Sequence, residues 1–265
     1  MSARLRVWLV VAAASLAAAG AAVGITLATR TTVPKRHIAA PPLADDPTAP
    51  PRVVAEVRAA LRSWPGGTVG GLRAAAAEHP HSALVRLELG LALAAGGDAP
   101  AARQAWAEAA KAQPDSPSAV YAENALHPDT PRNDPPFVPS FSVPRTRVER
   151  LLLRGVGLQA ALRPRSAERA FAAAARLAPG NAEAQVAAAV GLYDKDRPEL
   201  AFSRLGPLVR RFPHAQTVRF HLGLLLIYLR QLPLARHELR LARAEGPETA
   251  IGKRAQLLLR ASRTR

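Results

Sequence analysis

Apolar residues recur along this chain at the spacing of one helix face, and the pattern returns in pairs of segments. The first segment of a pair carries a small residue among larger ones, and the second carries a small residue followed by a large one four positions later. The four copies are Leu89, Gly90, Leu93 with Ala102, Trp106, Ala109; Leu151, Gly155, Leu158 with Ala167, Phe171, Ala174; Ala189, Leu192 with Ala201, Leu205, Leu208; and Leu222, Gly223, Leu226 with Ala235, Leu239, Ala242. Aromatic residues make up only 5% of the chain, so alanine and leucine supply most of the apolar surface, which favours helix over strand. The pattern predicts an all-α fold of consecutive helix pairs.

Prolines end these units at a near-constant interval. The steps between successive prolines are 34, 65, 34 and 34 residues, counted over Pro80, Pro114, Pro179, Pro213 and Pro247. Proline blocks the continuation of a helix, so each one marks a turn. A stop signal at this period indicates stacked copies of one small unit rather than a single globular core.

Small residues occupy one repeat position in the first helix of every pair, namely Gly90, Gly155, Ala189 and Gly223. A glycine inside a helix costs about 1 kcal/mol relative to alanine, so its recurrence requires a packing reason. We expect the paired helix to cross close to the backbone at this position, with small residues on its facing side and large ones filling the gap toward the next unit. The facing residues are Ala102, Ala167, Ala201 and Ala235, and the large ones are Trp106, Phe171, Leu205 and Leu239.

Taken as a set, these residues resemble the tetratricopeptide repeat (TPR) family over residues 82–247. The chain departs from that family where a large aromatic residue is usual early in the first helix, because Arg86, Gln185 and Arg219 stand there. The resemblance implies a right-handed α-solenoid of TPR-like helical hairpins that binds proteins or peptides. Bacterial proteins of this kind with one membrane anchor commonly serve as scaffolds or adaptors in envelope assembly or protein maturation.

The repeats divide the chain into segments. Two helical stretches, near Val53–Ser63 and Gly70–Glu78, form a degenerate copy, and a last helix near Glu248–Ser262 has the spacing of a cap on the final apolar face. The predicted segments are 52–126 for the degenerate and first clear repeats, 127–144 for an insertion, 145–247 for three further repeats, and 248–265 for a capping helix and basic tail.

The insertion at 127–144 explains the one long interval between prolines. Its prolines forbid a helix, but Phe137, Val138, Phe141 and Val143 would each gain about 1.5–3 kcal/mol from full burial. We therefore predict that this stretch docks on the chain's own helices. The alternative is a long surface linker.

A charge-free run of 23 residues from Val7 to Thr29 lies near the N-terminus. As a helix it would reach about 34 Å, enough to cross a hydrocarbon layer. We expect residues 1–30 to form a single transmembrane anchor, with a cleaved signal peptide as the alternative. Residues 31–51 are predicted to be an extended, unpacked linker. The expected location is the cell membrane, single-pass, with the repeats outside the cytoplasm.

A partner would bind along the first helices of the repeats, which line the concave groove in the TPR family. The residues at these positions are mostly apolar and favour a hydrophobic peptide or an amphipathic helix. The predicted groove residues are Leu152, Val156, Val186, Val190, Tyr193, Phe220, Leu224, Ile227 and Tyr228. The alternative is that they are ordinary core, or lie beneath the proline-rich insertion.

Positive charge is concentrated in the second half of the chain. The net charge is +16: residues 1–144 carry 13 basic against 11 acidic residues, and residues 145–265 carry 23 against 9. Arg236, Arg240 and Arg243 share one helix face and form a candidate anion patch. The alternative function is thus an electrostatic tether to anionic lipid, cell-wall polymer or nucleic acid, although nucleic acid is the least favoured of these. A general surplus of arginine explains the same charge without a binding site.

The sequence carries no motif of a known catalytic or metal centre. It has no cysteine, which excludes disulfides and thiolate metal sites. It also lacks HExxH, a P-loop and a Gly-x-Ser-x-Gly elbow. We expect no enzymatic activity, no cofactor and no metal, and the oligomeric state is left open.

Overall fold

The computed structural model describes residues 39–262, and this part of the chain is helical with no β-strand. The predicted anchor at 1–30 lies outside the described residues. No helix within residues 39–262 is both long enough and apolar enough to span a bilayer. The helices are α1 Pro51–Leu61, α2 Thr68–Glu78, α3 Ala83–Ala95, α4 Ala99–Ala112, α5 Pro117–Leu126, α6 Arg147–Ala160, α7 Pro164–Leu177, α8 Ala182–Val190, α9 Glu199–Leu205, α10 Leu208–Arg211, α11 Gln216–Tyr228, α12 Leu232–Glu245 and α13 Ala250–Ala261.

Local sequence explains where many of these helices begin. A side-chain oxygen of the residue before the helix accepts a hydrogen bond from the first turn in α3, α4, α5, α6, α8 and α13, which satisfies donors that have no partner within the helix. Thr146 and Glu149 form a full capping box at α6. Proline stands in the first turn of α1, α4, α5, α7 and α12, where its missing N–H costs nothing.

Helices that follow one another in the chain pack together, as α3 does with α4, α6 with α7, and α11 with α12. The first helix of a pair also contacts the first helix of the next, as in α3 with α5 and α8 with α11. Residues 127–146 contain no helix, as their prolines predicted, and they separate a first block, α1–α5, from a second block, α6–α13.

Asp115 joins the two blocks. Its carboxylate accepts hydrogen bonds from the Ser166 backbone N–H at 2.8 Å and from the Arg163 guanidinium at 3.0 Å. Burial raises the pKa of Asp115, but the hydrogen bonds from Ser166 and Arg163 outweigh it and leave the pKa below its usual value. The negative charge lies at the first turn of α7, where the helix dipole favours it.

The recurring small residues lie where the second helix of each pair approaches most closely. A Cβ atom at Gly155 would stand 2.7 Å from Cζ of Phe171 and nearer still to two other ring atoms, and one at Gly223 would stand 2.8 Å from Cγ of Leu239. A Cβ at Gly90 would likewise overlap the indole of Trp106. The predicted close approach is therefore confirmed in these three pairs. The expected partner was wrong, because the side chain nearest each glycine is the large residue of the same pair and not the alanine.

Two neighbouring glycines of α6 test this packing. We expect Gly155→Ala to lower the free energy of unfolding by about 2 kcal/mol, because Phe171 is fully buried and has no room to move. Gly157 has nothing within 4 Å of the position of a Cβ, so Gly157→Ala should raise the free energy of unfolding by about 1 kcal/mol. Urea unfolding of both variants measures the difference, and two stabilising substitutions would contradict the packing argument.

The segment before α1 corrects one expectation. Residues 31–51 were predicted to be unpacked, but Leu43, Ala44 and Ala49 pack against the core of the first block. Asp46 is only 7% exposed, and its carboxylate accepts a hydrogen bond from the Ser118 backbone N–H at the start of α5. Proline prevents a helix here, but the segment still carries apolar side chains and a carboxylate that the first block can bind.

The predicted last helix is present as α13. Its apolar residues Ile251, Ala255 and Leu259 belong to one buried cluster with Phe220 of α11 and Leu239 of α12. The helix thus covers the apolar face that the last pair would otherwise expose.

Candidate functional site

An extended segment, residues 134–141 and hereafter the strip, lies on the second block. Phe137 is 2% exposed and Val138 is 7% exposed, and Phe141 packs partly buried against the same core. This confirms the prediction that the insertion docks on the chain's own helices. The prediction was wrong for Val143, which is 70% exposed.

Phe137 fills a closed aromatic pocket. Its ring meets Phe171 edge to face at 5.4 Å and stacks on the imidazole of His221 at 5.1 Å, measured between ring centroids. His221 in turn lies edge to face with Phe220 at 5.0 Å. Such pairs add about 0.5–1.5 kcal/mol each beyond the burial of their area, so Phe137 is the main anchor of the strip.

Three backbone N–H groups of the strip donate to side chains of the second block. The Phe137 N–H donates to Oε1 of Gln159 at 2.9 Å, and the Val138 N–H donates to Nε2 of His221 at 2.9 Å. The Ser140 N–H donates to Oε1 of Glu183 at 2.7 Å. The acceptors stand on α6, α11 and α8, so three helices hold one short piece of extended chain.

His221 accepts its hydrogen bond only as a neutral ring. Its Nδ1 lies 2.7 Å from the carbonyl oxygen of Thr217, and because a carbonyl only accepts, Nδ1 must carry the proton. Nε2 is then the acceptor for Val138. Burial lowers the pKa of His221 from 6.5 to about 4, although the hydrogen bond to Thr217 raises it. In a protonated ring, Nε2 would also carry a hydrogen and would face the Val138 N–H, and two donors cannot form a hydrogen bond.

The N-terminal end of the strip lies beside a cavity of about 350 Å³ lined in part by Asp134, Phe137, Val156, Gln159 and Tyr228. The Tyr228 hydroxyl donates to the carbonyl oxygen of Asp134 at 3.3 Å. Burial raises the pKa of Asp134 to about 6 and that of Tyr228 to about 12. The Tyr228 hydroxyl therefore keeps its proton and can donate it, and this contact uses the backbone carbonyl of Asp134 rather than its carboxylate.

The structure brings the predicted groove residues together beneath the strip. One hydrophobic cluster contains Phe137 and a second contains Val138, and between them the clusters include all nine predicted residues. Six of the nine are buried and three are half-buried: Leu152, Val186, Val190, Tyr193, Phe220 and Leu224, then Val156, Ile227 and Tyr228. The groove is thus occupied by the chain itself, as the alternative interpretation of these residues anticipated. Binding of another chain there remains a prediction.

The nine predicted groove residues include none of the three side chains that hold the strip, which are Gln159, Glu183 and His221. The signal for His221 was present, since it is the one ionisable residue in the buried run from Phe220 to Leu226. A lone polar side chain in such a run needs a hydrogen-bond partner.

The candidate anion patch divides into one engaged and two free arginines. The Arg236 guanidinium donates to the carbonyl and hydroxyl oxygens of Ser262, at the end of α13, so its charge lies at a helix C-terminus where the dipole favours it. Arg240 and Arg243 are exposed and line a small cavity with Gln256 between α12 and α13. Neither has an ion-pair partner among residues 39–262.

One further cluster joins α1 and the end of α2. Glu56, Glu78 and His79 place three ligand atoms within 4.8 Å of one another. Arg52 already bridges the two carboxylates, at 2.8 Å from Glu56 and 2.6 Å from Glu78, and this lowers the pKa of Glu56. The guanidinium supplies the positive charge, so the arrangement is explained as an ion-pair network.

Comparison with models of protein families and with curated protein sequences found no match for this chain. The case for a function therefore depends on the residues of the groove and the strip.

Proposed function

We propose that this protein is a right-handed α-solenoid of TPR-like hairpins that serves as a binding scaffold rather than an enzyme. The packing of consecutive helix pairs in chain order supports this proposal. So does the repeated contact of a small residue on the first helix with a large one on the second. Solenoids of this kind present extended surfaces to partners.

The occupied groove is the observation that carries the proposed function. Side chains from the first helices of successive pairs, α6, α8 and α11, accept hydrogen bonds from one extended segment. That is the geometry by which a helical scaffold would bind a segment of another protein. A groove able to seat such a segment in its own chain has the acceptors and the aromatic pocket to seat one from a partner.

The membrane location belongs to the same proposal. It depends on the apolar run from Val7 to Thr29, which would hold the repeats beside the membrane as an adaptor. In that position the protein would dock a partner in envelope assembly or protein maturation, in line with the resemblance to anchored TPR proteins.

The electrostatic tether stays as a second candidate because of Arg240 and Arg243. Both are exposed on α12, and Arg243 lines a surface cleft with Lys253 and Arg260 of α13 and with one acidic residue, Glu248. Such a surface attracts anionic lipid or polymer, with an affinity that falls steeply as salt screens the charges.

Photo-crosslinking in cells separates the two candidates. A benzophenone amino acid at Val143, which is exposed beside the strip, should give discrete adducts with a partner protein. Irradiation of membranes isolated from these cells and held at about 1 M salt, where the screening length is about 3 Å, should give the same adducts. The matched control carries the same amino acid at Arg103, an exposed position of α4.

Adducts that form equally from Arg103, or none from Val143, would contradict the scaffold. Adducts that fail to form when irradiation is done at high salt, and that also fail to form in a variant with Arg240→Gln and Arg243→Gln, would support the tether.

A further inference from the structure

The backbone of the strip defines a recognition pattern. From residue 135 to residue 140, each backbone N–H is either absent or bonded. The three prolines of this stretch have no N–H, and Phe137, Val138 and Ser140 donate to side chains of the groove. Extended chain outside a sheet normally leaves its donors to water. Here every residue that has an N–H donates it to a groove side chain, and every position without such an acceptor is a proline.

The side chains of the strip also restrict which sequences the groove can bind. The pocket between Phe171 and His221 takes an aromatic ring, and the Val138 site takes a β-branched residue against Phe220 and Leu224. Neither site offers a buried counter-charge. An uncharged aromatic residue, then a β-branched residue, then proline is the sequence that this surface fits.

A second segment of the chain is bound in the same way. Residues 41 and 42 are prolines, and the Ala44 N–H that follows them donates to Oε1 of Glu88 on α3 at 2.7 Å. Glu88 is fully buried, so this acceptor lies inside the first block and not on its surface. Both blocks therefore hold a proline-rich extended segment through a side-chain acceptor on a first helix.

The strip is held by side chains alone. Within residues 39–262 it has no strand partner, and its five backbone hydrogen bonds, three donated and two accepted, are all to side chains. A cavity opens beside Phe137, and Val143 is exposed at its far end. Segments with these properties open locally at a cost well below that of global unfolding.

We propose that the groove exchanges the strip for an extended partner segment of the same chemistry, an uncharged proline–aromatic–β-branched–proline sequence such as Pro-Phe-Val-Pro. Gln159 and His221 would accept hydrogen bonds from two consecutive backbone N–H groups of that segment. This inference rests on the proposed function. The strip acts as a competitor within the chain, and the partner binds when it displaces the strip.

The test uses the full chain and a labelled peptide of residues 133–144. A variant with Phe137→Ser and Val138→Ser frees the groove of its own strip. Because a tethered competitor has an effective concentration of about 1 mM, this variant should bind the peptide at least about tenfold more tightly than the wild-type chain. Fluorescence anisotropy measures both affinities, and circular dichroism checks that the variant is folded.

Peptide chemistry tests the backbone readout directly. N-methylation at Val138 of the peptide removes the N–H that donates to His221 and should weaken binding about tenfold, the effect of one hydrogen bond. N-methylation at Ser142, beyond the three bonded donors, is the matched control and should leave the affinity unchanged. Equal binding of the two methylated peptides would overturn the proposed readout.

If the double variant does not fold, the wild-type chain is crosslinked with the same peptide carrying benzophenone at position 137. Adducts on α6 or α11 would support exchange, and adducts elsewhere or none would overturn it. A wild-type dimer held by swapped strips, seen by analytical ultracentrifugation, would also overturn the proposal, since the occupant would be a second copy. None of these negative results would exclude adducts formed from Val143 in cells. The scaffold function and the class of its ligand are therefore tested separately.

Discussion

Acidification from about pH 7 to about pH 4 should destabilise the wild-type chain relative to a His221→Gln variant by about 3 kcal/mol. The cause is that the buried ring of His221 has a pKa of about 4 in the folded chain, against a usual value of 6.5. The unfolded chain therefore binds a proton first as the pH falls. The stability that the neutral ring contributes is complete above pH 6.5 and is lost progressively towards pH 4.

Glutamine is the informative replacement because its side-chain oxygen can accept the Val138 N–H but does not titrate. Urea unfolding at a series of pH values gives the difference in the free energy of unfolding between wild type and variant. Asp134, whose pKa burial raises to about 6, titrates in both proteins and cancels in the difference. A His237→Gln variant, at an exposed position of α12, is the control for the replacement of a histidine by glutamine. Parallel curves for His221→Gln would contradict the assignment of a neutral, buried ring.

Replacement of Glu88 by glutamine should stabilise the protein at about pH 8 by about 3 kcal/mol and have little effect at about pH 4.5. Glu88 is fully buried and its Oε2 has no hydrogen-bond partner among the described residues. Burial raises its pKa from 4.5 to about 7, although the hydrogen bond from Ala44 lowers it. A raised pKa means that the folded chain is most favoured while the carboxyl is protonated, and that this stability is lost as the pH rises through 7.

The amide of glutamine keeps the acceptor for Ala44 and removes the charge. The measurement is again urea unfolding, here at pH values from about 4.5 to about 8, and the control is Glu248→Gln at a side chain that is 90% exposed. A Glu88→Gln variant that is less stable than wild type at pH 8 would show that the charge of Glu88 has a partner and is required.

These two groups respond to pH in opposite directions. As the pH falls, the titration of Glu88 favours the folded chain, whereas the titration of His221 disfavours it and weakens the attachment of the strip. If the groove exchanges its strip for a partner, both bound segments require the neutral form of His221, so the titration of this ring should not bias the exchange.

Local sequence was sufficient for much of the fold. The small residue that recurs at Gly155 and Gly223 predicted helix pairs with a close crossing, and that crossing is present. The burial of Phe137 and Val138 followed from the cost of leaving them in water. Both predictions succeed because helix period and side-chain hydrophobicity act over a few residues.

The same reasoning failed wherever a polar partner was distant in the chain. Composition predicted an unpacked segment before α1, yet Asp46 bonds to Ser118, 72 residues away. Val138 finds its acceptor on His221, 83 residues away, and no spacing rule connects the two.

For this protein, then, the order of residues was enough to predict an all-helical fold, the pairing of consecutive helices and the burial of Phe137 and Val138. The occupant of the groove and the side chains that accept its backbone hydrogen bonds became apparent only in the folded chain. Proline-rich segments have no regular hydrogen-bond pattern of their own, so their donors must be matched by whichever acceptors the packed helices bring within reach.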